Sequence, residues 1–335
     1  HCYYLPLENG AWNVFVVITE EGVLMVNPPQ EADRSNVINA LNNATSKPVR
    51  WLAFTDYRFP QTSGARFFSE RGALFMASSA LRSLAETLIP EDAPENPAPP
   101  EPDGQNHAIA NTASSYSAPS GTDKQDGVSL NTPSVAAIRQ AGERVGDSAA
   151  EVSPFPWLIF ETQMYLFPSN LEIRIMALRH KARTGGDVVV YVPEEKVLFV
   201  GGLYEAARYP EIDAASGGDA VEWMDGIKQV LDSVPVLKPA IPKEETASEE
   251  DNATLEEGIT VVSAKGEASN LQNMKDLLEG CQKLKRDVSR SVRIGRSCSS
   301  FLASSSANGY YSYGNLSSYA AQLFAALDSP GDGPH

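Results

Sequence analysis

Two apolar runs, Val188-Val189-Val190-Tyr191-Val192 and Val197-Leu198-Phe199-Val200, flank the turn Pro193-Glu194-Glu195-Lys196 and constrain this chain more than any other feature. Short apolar runs bounded by turn residues read as the two strands of a hairpin. The start of the chain reads the same way: Trp12, Val14, Val16 and Ile18 alternate with neighbours that are also largely apolar, and Gly22 turns the chain into Val23-Leu24-Met25-Val26. That pair is a buried hairpin. Val37, Ile38 and Leu41 then stand at helical spacing within Glu31 to Asn43, and Val49 to Phe54 returns as a strand, so the order is β-β-α-β. A polar loop from Thr55 to Gln61 follows, then a helix near Ser63 to Glu70. Loops after buried strands commonly hold sites.

The second half is β-rich, with further strands expected at Leu158 to Phe160, Met164 to Phe167, Leu171 to Leu178 and Ile259 to Val262. Helices are expected at Glu222 to Leu231 and at Leu271 to Ser291, the latter built around Leu271, Met274, Leu277, Leu278 and Leu284. Between the halves, from about Pro90 to Pro133, large apolar residues are scarce, and such a stretch cannot bury enough surface to offset the entropy of ordering. Disorder is expected over most of the insertion, taken as 91–152. From residue 299 to 335 the Ser, Ala, Tyr and Gly content suggests a loosely ordered tail.

A formal charge of −16 argues against recognition of nucleic acid through the surface as a whole. Part of that acidity is local, in the run between Glu244 and Glu257, which reads as a solvated loop. No run approaches the roughly 18 apolar residues that span a bilayer. Cys2, Cys281 and Cys298 lack metal-site spacing and do not indicate a disulfide. The sequence begins at His1 without a methionine, so export or a periplasmic location is expected if a leader was removed; trimming explains the start equally well.

The segment Thr184-Gly185-Gly186-Asp187, followed by the strand, turn and strand up to Phe199, resembles the HTxGD motif and hairpin of the metallo-β-lactamase superfamily. The resemblance covers roughly Asn13 to Leu284 without the insertion. It implies an α+β protein, a four-layer αβ/βα sandwich whose halves are 1–90 and 153–298. It also implies a zinc site built from a His-x-His-x-Asp-His loop, the His of HTxGD, the Asp of a Gly-Asp pair after the following strand, and a late His preceded by Gly. At the matching positions this chain has Asp56, Arg58, Pro60 and Gln61 in the first loop, then Arg183, the pair Gly201-Gly202, and Lys265. Zinc binds lone pairs on nitrogen and oxygen at about 2.0–2.2 Å, and protonated Arg and Lys have none to offer. No metal cofactor is therefore expected. Asp187 matches the Asp of the motif, which the resemblance assigns to the supporting shell, and Gly185 and Gly186 support the turn. Ser63 and Ser263 have no recognisable base at a meaningful spacing and read as helix-start or turn residues.

If the fold holds, Arg58, Arg183 and Lys265 converge around Asp56 and Gln61. Two arrangements suit that set: an ion-pair plug that stabilises the loops, or a cleft that grips a small anion such as a carboxylate or phosphate. Three function classes remain open. The first is a catalytically inactive binding or regulatory protein on a hydrolase scaffold, with a small anionic ligand or a protein as partner. Another is a hydrolase of an ester, thioester or lactam with an atypical or metal-independent site. The last is a structural interaction protein acting through its tail and insertion.

Overall fold

A computed structural model describes residues 1–7, 12–57, 64–88, 157–168, 171–234, 258–310 and 312–328. The insertion at 91–152 and the acidic run at 244–257 lie outside these residues, as do Arg58, Gln61 and Ser63. Two mixed six-stranded sheets form the frame. The first holds β1 (Cys2–Pro6), β2 (Asn13–Ile18), β3 (Val23–Val26), β4 (Val49–Ala53), β5 (Leu74–Ser78) and β6 (Trp157–Phe160) in sequence order. The second runs β12-β11-β10-β9-β8-β7, from β7 (Gln163–Leu166), β8 (Ile173–Ala177), β9 (Val188–Val192) and β10 (Val197–Gly201) to β11 (Thr260–Ser263) and β12 (Ser269–Asn270).

The continuously apolar runs at 188–192 and 197–200 are explained by burial on both faces. Along β9, Val188, Val190 and Val192 point into the core shared by the two sheets, while Val189 and Tyr191 join a second core under the helices. Alternate positions of β10 divide in the same way, with Phe199 toward the other sheet and Leu198 and Val200 toward the helices. A strand covered on both faces has no polar side, which is why it reads as continuously apolar. Phe199 stacks on Phe15 of β2 at 5.2 Å between centroids, tying the sheets together.

Helices α1 (Glu31–Ala44), α2 (Ala65–Ser69) and α3 (Ser79–Leu88) accompany the first sheet, and Val37, Leu41, Phe68 and Leu81 join its core. Helices α4 (Glu222–Ser233) and α5 (Leu271–Arg293) accompany the second. On α5 the buried residues Leu271, Met274, Leu277, Leu278, Cys281, Leu284 and Val288 repeat at helical spacing. Its start is fixed by Asn270, whose side chain accepts the Asn273 N–H at 2.8 Å. The result is the four-layer αβ/βα sandwich of the expected α+β class.

The chain end corrects an expectation. In place of a loose tail, Cys298–Leu302 and Leu316–Asp328 form helices α6 and α7. Phe301, Leu316, Tyr319, Leu323 and Phe324 are buried in the same core as α5. The Ser, Ala and Gly content conceals an apolar stripe at i, i+3, i+7 and i+8, and that stripe has a core to join. The segment also holds the chain ahead of α4. Tyr209 N–H donates to Gly314 O at 2.9 Å, Gln322 Nε2 to Ile212 O at 2.7 Å, and Tyr319 Oη to Ala220 O at 2.9 Å. Tyr319→Phe removes a partner from a buried carbonyl, so urea unfolding should show a loss of about 1–2 kcal/mol.

Candidate functional site

Strand direction brings five chain segments to one end of the sandwich. The parallel pairing of β3 with β4 aligns Val26 with Ala53, which sets Asn27 beside Thr55. Thr55 N–H donates to Asn27 Oδ1 at 3.0 Å and Asn27 Nδ2 donates to Thr55 Oγ1 at 2.7 Å. On the other sheet, Val188 N–H donates to Thr55 O at 2.8 Å. These bonds fix the end of β4, and the next residue, Asp56, is directed into the protein with 1% exposure.

Arg183 arrives from the loop before β9 and meets Asp56, with Nη1 donating to Oδ2 at 3.0 Å. Both side chains are 1% exposed. Arg183 Nη2 has no hydrogen-bond partner among the described residues. Space for the guanidinium comes from Gly202: a Cβ there would stand 3.0 Å from Nη1 and 3.1 Å from Cζ. Burial pushes the Asp56 carboxyl up to about 6, with Arg183 pulling against that rise, Asp213 adding to it and Lys265 opposing it. Asp56 is therefore the charged partner of Arg183 above that pH.

The turn after Arg183 is closed by its own side chains. Thr184 N–H donates to Asp187 Oδ2 at 2.8 Å, Thr184 Oγ1 to Asp187 Oδ1 at 2.9 Å, and Gly186 N–H to Thr184 Oγ1 at 3.1 Å. Gly185 N–H donates to Ser216 O at 2.8 Å, which anchors the turn to the segment before α4. Burial raises Asp187 to about 7; the Thr184 N–H works against it and the Asp56 charge with it. The sign of the linkage follows from these directions. Both carboxyls bind protons more tightly folded than unfolded, so their stabilising contribution is full below about pH 4 and is lost as pH rises through about 6 to 7. Asp187→Asn should flatten the fall in unfolding free energy between pH 5 and pH 8 by more than about 1 kcal/mol, measured by urea titration at each pH.

Lys265 is presented by a turn clamped to β2. Asn13 N–H donates to Ala264 O at 2.6 Å, while Asn13 Nδ2 donates to Ser263 O at 2.9 Å and Gly266 O at 2.8 Å. Ala264 N–H reaches Gly201 O at 2.7 Å. Lys265 Nζ lies 4.8 Å from the centre of the Trp12 ring and 3.9 Å from Glu211 Oε2. Arg183 and Lys265 line one small open pocket, together with Trp12, Gly201, Gly202 and residues of the segments 203–205 and 209–211. Asp56 lies behind Arg183 and does not line it.

Of the residues the sequence singled out, Asp56, Arg183, Gly201, Gly202 and Lys265 thus gather at one strand-end cluster, with Thr184 to Asp187 as its supporting turn. Several contributors carry no local signal in the sequence: Trp12, which shares the alternating pattern of a buried hairpin, the clamps Asn13 and Asn27, and Glu205, Tyr209 and Glu211. Tyr57 is another, its Oη donating to Asp213 Oδ2 at 2.5 Å. Among the described residues, no three His, Cys, Asp or Glu side chains group in a way that could hold a metal ion. Among the same residues, no helix is long and apolar enough to cross a membrane.

Two six-stranded sheets packed face to face between two sets of helices, with the candidate-site loops at one end, define the fold of this chain: it has the metallo-β-lactamase fold. It is similar over 99% of its length to a double mutant of the sec-alkyl sulfatase PisA1, with a TM-score of 0.60 and 13% identity, and it covers 50% of that chain. This chain thus spans about half the length of the sulfatase. A metallo-β-lactamase from Pontibacter korlensis aligns with 84% of this chain and 93% of its own, at a TM-score of 0.49 and 14% identity. The lactamase FIM-1 from Pseudomonas aeruginosa, in its mono-zinc form, aligns with 84% of this chain and 90% of its own, at a TM-score of 0.47 and 14% identity. No protein-family model and no curated protein matches the chain.

Proposed function

We propose that this chain is a catalytically inactive protein with a binding or regulatory role, built on a hydrolase fold in which an ion pair stands where the superfamily places its metal. The observation that carries this reading is the buried Asp56 to Arg183 contact at 3.0 Å. Zinc would need lone pairs at that place. The carboxylate there is already hydrogen-bonded to a guanidinium, and Arg183 and Lys265 are donors without a lone pair, so the set does not fit zinc. Two cations near the centre would also repel a divalent ion. A fold persists through its packing after its chemistry is gone, and two buried hydrophobic cores flank this site.

The binding role rests on the pocket beside the plug, in which Arg183 and Lys265 supply positive charge to an otherwise acidic chain. The reading is tested by metal analysis of protein purified without chelator, together with assays on ester, thioester and lactam substrates. Substoichiometric metal and no hydrolysis are expected. Stoichiometric zinc accompanied by hydrolysis would overturn the proposal in favour of an active enzyme.

A further inference from the structure

Helix α5 changes sign along its outward face. Its buried residues, from Leu271 to Val288, form one stripe against the core. On the other side the exposed charged positions are Asp276 and Glu279 in the first half, then Lys283, Arg286, Arg290 and Arg293 in the second. Lys285 and Arg296 are half-buried, so the stretch from Lys283 to Arg296 holds six basic residues and one acid, Asp287. Interaction with the helix dipole accounts only for Arg290 and Arg293, because that effect falls off within the last turn. Among the described residues, Arg290 is the one cation of the six that pairs with a carboxylate, reaching Asp287 at 3.1 Å. Asp287 also accepts from Tyr310 Oη at 2.6 Å. Ile294, at the end of the helix, is 68% exposed. At 3.6 residues per turn it shares with the four exposed cations an arc of roughly 100°, over a length of about 16 Å.

We infer that the last three turns of α5 form a face that docks reversibly on an anionic lipid surface. Phosphate headgroups meet Lys283, Arg286, Arg290 and Arg293, while Ile294 enters the boundary with the acyl chains. The formal charge of −16 does not forbid this contact. At physiological salt, charges more than about 8 Å away are largely screened, so a surface laid against α5 meets the basic face rather than the sum over the chain. Ile294 decides between kinds of polyanion. A nucleic acid backbone offers phosphate alone, whereas a membrane interface offers phosphate and, about 5–10 Å deep, an apolar layer. The alkyl stems of Lys and Arg cross that boundary while their charged ends stay in water. Each basic residue near an anionic leaflet strengthens attachment by about fivefold, and one isoleucine adds a modest share, so the attachment is weak and salt-sensitive. The docking face uses no residue of the strand-end site and stands apart from the reading of that site.

The test is co-sedimentation of the full chain with vesicles of phosphatidylcholine alone, or of phosphatidylcholine with about 30 mol% phosphatidylglycerol. The anionic vesicles should bind at least about tenfold more tightly than the neutral ones at about 0.05 M salt, and the binding should be lost at about 0.5 M. Replacing Arg286 and Arg290 together by Gln should weaken it by about twentyfold, and Ile294→Ser by about threefold, while circular dichroism shows an unchanged fold. Arg66→Gln, which removes a cation 68% exposed on α2 in the layer of the first sheet, should leave binding unchanged. Equal binding to both kinds of vesicle, or an equal loss from Arg66→Gln and from the α5 double variant, would overturn the inference. Vesicle binding indifferent to Ile294→Ser, together with tight binding of a short DNA duplex, would overturn it in favour of a nucleic acid partner. Binding that emerges only after Glu249, Glu250 and Asp251 are replaced by their amides would overturn it too, and would assign the face to this chain's own carboxylates.

Discussion

Arg183→Met is expected to lower the unfolding free energy at pH 7.5 by about 3–5 kcal/mol, and Asp56→Leu by a similar amount, because each removes one member of a buried ion pair and leaves the other charge in place. The two side chains are 1% exposed and 3.0 Å apart, so water cannot replace the lost contact. The double variant, Arg183→Met with Asp56→Leu, should return to within about 1 kcal/mol of the parent, since apolar groups of similar volume avoid the desolvation penalty of both ions. A double-mutant cycle in urea measures all three. The loss from Arg183→Met should shrink at pH 5, because the Asp56 carboxyl, raised to about 6 by burial, is then neutral and no longer needs a counter-charge. A cycle with no coupling would show that Arg183 is held by packing alone, and the ion-pair plug would lose its basis.

The parts of the fold that could be read from the sequence are those whose burial is patterned locally. The second hairpin and helix α5 follow from runs whose period matches their element: α5 was expected at Leu271 to Ser291 and forms at Leu271–Arg293. Strand β5 escaped because Leu74–Ser78 is short and follows a helix closely, and edge strand β1 because Cys2–Pro6 is largely exposed and lacks an apolar face. At the chain end, composition masked periodicity. The site divides in the same manner. Asp56, Arg183, Gly202 and Lys265 could be marked because the motif that the sequence resembles assigns their positions. Asn13 could not: its side chain bonds the Ser263 carbonyl across 250 residues, and no local pattern encodes a contact of that range. Trp12 looks like any apolar strand residue until Lys265 is seen above its ring.

Gly201 joins the pocket to the interface between the sheets, and Gly201→Ala is expected to destabilise the protein by about 3–4 kcal/mol. Two costs combine there. Its φ of +57° lies in the left-handed region, where a Cβ costs roughly 1–2 kcal/mol. The added carbon would also stand 2.0 Å from Thr55 Oγ1 and 2.4 Å from Thr55 Cβ. Thr55 cannot turn away freely, because Oγ1 accepts from Asn27 Nδ2 and the backbone on either side of its side chain is bonded to Asn27 and to Val188. Relief must therefore come from parting β10 from the end of β4, which opens the cores on both sides of the strand. Gly72 separates the two costs: its φ is +93° and nothing lies within 4 Å of a Cβ built there, so Gly72→Ala carries backbone strain without a clash. Urea midpoints should place Gly72→Ala at about 1 kcal/mol and Gly201→Ala well above it. Equal losses at the two positions would mean that the β4 and β10 ends are not in the close contact that brings Asp56 to Arg183.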